Sequence, residues 1–125
     1  MNSKANAWFR ASGGSGIFTP LIAFACILLA IAHSPRFSWT ENALSDLGVQ
    51  QGVTAVLFNS GLVISGLLTL VFALGLFMCL RGKILGNIGA FILVLDALAL
   101  TAIGVFPENV KPLHLYASVA FFVLF

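Results

Sequence analysis

The chain has 125 residues, of which 60% are hydrophobic and only 8% charged, and its formal net charge is +2. Soluble domains carry about 25% charged residues, so this chain lacks the charge to cover a water-facing surface. The composition excludes a soluble globular domain, a disordered tail and a small disulfide scaffold, and it points to a polytopic protein of the cell (plasma or inner) membrane.

The basic residues Lys4, Arg10, Arg36, Arg81, Lys83 and Lys111 are scattered and form no stripe or recognition motif, so nucleic acid is not an expected partner. Membrane lipids are. Cys26 and Cys79 fall in apolar segments without a CxxC pattern and read as small packing residues. His33 and His114 stand apart, outside any metal-ligand spacing, and no phosphate loop or nucleophile elbow is present; neither a metal nor another cofactor is expected.

The segment 1–16 reads as a polar, basic leader on the cytoplasmic side, with Ser12-Gly13-Gly14-Ser15-Gly16 as a flexible approach. A bilayer core about 30 Å thick takes roughly 20 apolar helical residues. Spans are expected at residues 17–33, 53–80 and 85–106. A fourth, 113–125, is too short to cross, so the chain reads as the N-terminal part of a longer protein. The first apolar segment exceeds the 7–15 residues usual for a cleaved leader and is taken as a retained helix. Residues 17–125 thus form a single antiparallel, all-α transmembrane bundle. Lys4, Arg10, Arg81 and Lys83 fall on one side of it, which places the N-terminus in the cytoplasm. Gly61/Ser65, Gly82/Gly86 and Ala97/Thr101 are small residues at the spacing that lets helix backbones approach.

Within the outer loop 34–52, Ser38-Trp39-Thr40-Glu41 has the form of a capping box and predicts a short interfacial helix over 39–47. Asp46 then lies in the last turn, where the helix dipole disfavours an anion by about 0.3–1 kcal/mol, and it calls for a partner such as His114 or Lys111. Asn59 lies roughly 9 Å inside the second span and must find hydrogen-bond partners within the bundle. Pro107 ends the third span and Pro112 opens the next helix, which puts His114 in a first turn beside Glu108. Asp96 falls near the middle of the third span, where an aspartate costs about 2.5–3.5 kcal/mol to insert. It is expected to face the bundle near Ser65 or Thr69.

Asn42-Ala43-Leu44-Ser45-Asp46-Leu47-Gly48-Val49 is followed by Leu57-Phe58-Asn59-Ser60-Gly61-Leu62 with Ser65-Gly66. Next come Gly104-Val105-Phe106-Pro107-Glu108 and His114. This ordered set resembles the uncharacterised prokaryotic membrane family catalogued as domain of unknown function 998, over nearly all of the chain from Ile17. The resemblance implies a six-span helical protein. It singles out Ser45, Asp46, Gly48, Asn59, Gly61, Gly104, Pro107, Glu108 and His114, and leaves Asp96 outside the pattern. It carries no activity.

Asp46, Asn59, Glu108 and His114 are therefore the candidate binding residues, expected to converge if the outer loop folds over the mouths of the spans. Binding or passing a lipid or small molecule is the leading expectation. A membrane-embedded enzyme of hydrolase type, with His114 as base beside Asp46 and Glu108, is the alternative, and a structural or accessory subunit is the third.

Overall fold

The computed structural model describes residues 2–125. Among them the chain forms α1 (Ser3–Ala32), a short 3-10 turn (Leu44–Val49), α2 (Val53–Cys79), α3 (Ile84–Val105) and α4 (Lys111–Leu124), with no strand. The first three helices are long and apolar enough to cross a membrane; α4 is apolar but shorter. The ends of α2, α3 and α4 fall within two residues of their expected positions, the ordinary ambiguity of helix boundaries.

The start of α1 does not. The helix runs unbroken through Ser12-Gly13-Gly14-Ser15-Gly16 and on through Pro20, so the expected flexible leader is helical from Ser3. Packing explains it. A β-carbon added at Gly75 would collide with the side chain of Ser12, and one at Gly16 would lie 2.7 Å from the ring of Phe72. Small residues here let α1 and α2 meet backbone to backbone and gain dispersion contacts, which drive association once lipid removes the hydrophobic term. The hydroxyls are satisfied inside α1: Ser12 donates to Phe9 O at 3.2 Å, Ser15 to Ser12 O at 2.6 Å and Thr19 to Ser15 O at 2.8 Å.

The same antiparallel register continues to the other end, where Cys26 lies against Gly61 and Thr54 Oγ1 donates to His33 O at 3.0 Å. Helix α2 is central, packing against α1 on one side and α3 on the other. Gly66 faces Thr101 and the Ala97 carbonyl, while Gly104 faces the Asn59 carbonyl and Val63. The connection from α2 to α3 is a tight turn in which Lys83 N–H donates to Leu80 O at 3.0 Å and Gly82 takes a φ of +91° that suits glycine.

The loop before α2 departs from expectation as well. Ser38 and Glu41 begin no helix; Glu41 and Asn42 N–H both donate to Ser38 O, closing a turn, and the helical element starts only at Leu44. Leu47, fully buried, is the reason. It enters a core with Ala30, Phe58, Leu62 and Ile103, drawn from the ends of α1, α2 and α3. Burying that one leucine shifts the ordered segment toward residue 47 and leaves Trp39 exposed, with Phe37 packed edge-on against it at 5.3 Å.

Candidate functional site at the loop-covered end of the bundle

The 3-10 turn covers the end of the bundle where α1 finishes and α2 begins, and two side chains fix it there. Asp46 Oδ2 accepts from Ala43 N–H at 3.0 Å and from Asn42 Nδ2 at 3.1 Å, so this carboxylate closes its own turn. At the first turn of a short helix an acid also meets the positive end of the dipole, the reverse of the unfavourable position expected for it.

Asn59 reaches the turn from α2: its Nδ2 donates to Gly48 O at 2.8 Å. Its Oδ1 lies so near Gly48 that a β-carbon there would come within 2.6 Å, which gives the glycine a steric reason. That same Oδ1 is buried without a hydrogen-bond partner. On the other face of α2 the Asn59 carbonyl is pressed by Gly104, where a β-carbon would come within 2.7 Å. Asn59 therefore sits between the turn and α3.

The α3–α4 connection carries the remaining pair. Val110 N–H donates to Pro107 O at 2.8 Å, closing a tight turn, and His114 Nδ1 lies 2.7 Å from Phe106 O. A carbonyl can only accept, so Nδ1 carries a proton and donates it, which leaves Nε2 as the ring nitrogen not engaged by Phe106. Glu108 is half-buried in the same connection, and its Oε2 is buried without a partner.

The four candidates thus fall into two pairs at one end of the bundle, Asp46 with Asn59 on the 3-10 turn and Glu108 with His114 on the α3–α4 connection. The pairs are linked by packing. Gly104 abuts Asn59 and Leu47 shares a core with Ile103, against which Ala117 and Phe121 of α4 pack. The Asp46 carboxylate binds Ala43 and Asn42, not His114 or Lys111, and the His114 imidazole binds a main-chain carbonyl.

Sequence reasoning passed over Ser34, Gln50 and Thr54. Ser34 Oγ donates to Gln50 Oε1 at 2.8 Å and Thr54 holds His33, so the three pin the loop to the ends of α1 and α2. The only signal for them was polarity beside an apolar span. Ser34 and Gln50, with Pro35, Arg36, Val49 and Gln51, line a shallow groove of about 480 Å³ on this end.

Asp96 lies apart from this end. It is 4% exposed, and its Oδ1 has no partner. Its neighbour Ala97 meets Gly66 of α2, next to Ser65 in sequence. The expected partners do not bond it: Thr69 Oγ1 donates to Ser65 O at 2.8 Å, and Ser65 Oγ is itself buried and unpartnered.

The family described as "Protein of unknown function (DUF998)" matches the chain over residues 17–125. A thiamine transport system permease protein of Haemophilus influenzae is 34% identical over 97 residues, which cover 75% of this chain and 16% of that relative. The chain therefore spans less than a fifth of the permease's length. No solved structure matches the chain.

Proposed function

The chain belongs to the DUF998 family of proteins of unknown function, and from that premise we propose that it binds or passes a lipid or small molecule at the loop-covered end of the bundle. The observation that carries this reading is the pair of buried oxygens without donors, Asn59 Oδ1 and Glu108 Oε2. A buried acceptor left unmatched costs about 1–3 kcal/mol. A ligand that brings an N–H, an O–H or a cation to that end recovers the loss. The apolar flanks of α1, α3 and α4 suit an acyl chain or another apolar body.

The likeness to part of a permease supports passage over simple attachment. Binding is favoured over hydrolysis because the expected pairing of His114 with Asp46 is not made: the Asp46 carboxylate accepts from Asn42 and Ala43, and His114 Nδ1 meets the Phe106 carbonyl.

Native mass spectrometry of the purified protein tests the proposal. The wild type is expected to carry a lipid or small molecule that Glu108→Gln and Asn59→Ala lose by tenfold or more. A wild type that carries nothing above the detergent background overturns it, as does retention of the species by both variants.

A further inference from the structure

The opposite end of the bundle carries Lys4, Arg10, Arg81 and Lys83, all exposed. Among the described residues it carries no carboxylate side chain. The acids of the chain are Glu41, Asp46 and Glu108 at the loop-covered end and Asp96 inside α3.

The register of α1 on α2 fixes how these cations are arranged. Ser12 lies against Gly75, and α2 ends at Cys79, four residues on. Lys4 and Trp8 precede Ser12 at intervals of four, so all three share the face that α1 turns to α2. At about 1.5 Å per residue, Trp8 lies level with the last residue of α2 and Lys4 about 6 Å beyond it. That is the level of the α2–α3 turn, where the Lys83 to Leu80 hydrogen bond and the left-handed Gly82 hold Arg81 and Lys83 in a short, fixed connection. Arg10 flanks the group on another face of α1.

Cations gathered in this way repel one another, and no described side chain on their own end neutralises them. Trp8, half-buried one helical turn below Lys4, is the residue type that marks the headgroup layer. We propose that this end of the bundle holds anionic phospholipid headgroups, with Lys4, Arg81 and Lys83 as the principal contacts and Arg10 beside them. The phosphate layer of the bilayer lies where these side chains emerge, whereas a soluble anion would have no use for the apolar α1 and α3 flanks below.

Trp8 is the reporter. In a Trp39→Phe background it is the single tryptophan, since the chain has two. Its quenching by brominated phosphatidylglycerol and by brominated phosphatidylcholine, with the whole chain in bilayers, gives the relative affinity for the two headgroups. A surface cation contributes about a five-fold preference for anionic lipid. With three principal cations the parent is expected to prefer phosphatidylglycerol about a hundred-fold at low salt, and less as salt is raised. Lys4→Gln alone, or Arg81→Gln with Lys83→Gln, is expected to lower the preference about five-fold per cation removed. Arg36→Gln with Lys111→Gln, at the other end, is expected to leave it unchanged. Equal quenching by the two lipids in the parent overturns the proposal, and so does a preference lowered equally by the variants at the two ends. Inorganic phosphate that abolishes the preference where chloride of equal ionic strength does not would assign the cluster to a free anion, and also overturns it.

Discussion

Asn59 Nδ2 donates to the carbonyl of Gly48 at 2.8 Å, which ties the 3-10 turn to the second turn of α2. The bond is part-buried, so its loss leaves a carbonyl with reduced access to water. Asn59→Leu is expected to destabilise the folded state by about 1–3 kcal/mol. Gly48→Ala reaches the same end by another route, because its β-carbon would meet Asn59 Oδ1. Thermal unfolding in detergent measures both, and the double variant is expected to cost less than the sum, since both break one contact. Additive losses would mean that the amide and the glycine act separately.

The contact of α2 with α3 gives a sharper steric test. A β-carbon at Gly66 would fall 2.8 Å from Thr101 N and 3.0 Å from Ala97 O, groups of the helix backbone that cannot rotate away. Overpacking of this kind costs about 1–3 kcal/mol, and Gly66→Val is expected to reach at least the upper end. Gly89 stands in the same α3 with nothing within 4 Å of its β-carbon position. Gly89→Ala is expected to be neutral or to stabilise by up to about 1 kcal/mol through helix propensity. A chemical denaturation series that ranks the two variants the other way would refute the α2–α3 register.

Long apolar runs bounded by Pro107, by Gly52 and by the charged Arg81-Gly82-Lys83 turn made the spans legible, because hydropathy and breakers act locally. What stayed hidden depended on contacts between distant residues. Ser12-Gly13-Gly14-Ser15-Gly16 has the composition of a linker and becomes helix because Gly75 and Phe72 face it. Ser38 and Glu41 have the spacing of a capping box, yet the burial of Leu47 under α1, α2 and α3 moves the ordered turn downstream. Asp46 then serves as the reciprocal acceptor for Ala43 N–H. At the candidate site the sequence singled out Asp46 and Asn59 as polar groups in need of partners, and Glu108 and His114 as binding candidates. That Asn59 finds Gly48, and His114 finds Phe106, follows from chain crossings that no local pattern encodes.

His114 holds the α3–α4 connection through a main-chain acceptor, and the consequence is local. His114→Ala removes the donor to Phe106 O, and His114→Asn places an amide N–H near the former Nδ1 position. Hydrogen exchange is expected to speed up at the amides of Val110 and His114, which donate to Pro107 O and Val110 O. The asparagine variant is expected to recover most of the protection, in proportion to a bond of about 0.5–1.5 kcal/mol. Unchanged exchange in the alanine variant would show that the two prolines alone set this turn.

The orientation expected from the basic residues can be read with the cysteines already in the chain. Cys79 is exposed at the last residue of α2, on the basic end, whereas Cys26 is half-buried against Gly61 within the span. A membrane-impermeant maleimide reaches a thiol only where water does. With the N-terminus inside, Cys79 is expected to resist the reagent in intact cells and to react in inverted vesicles, and Cys26 to react in neither. Gln51→Cys, introduced with Cys79→Ser, reports the other end and is expected to show the reverse pattern, because Gln51 is exposed just before α2. Reaction of Cys79 in intact cells would invert the bundle. It would put Lys4, Arg81 and Lys83 at the outer leaflet and bring the loop-covered end, with Asn59, Glu108 and His114, to the cytoplasmic face.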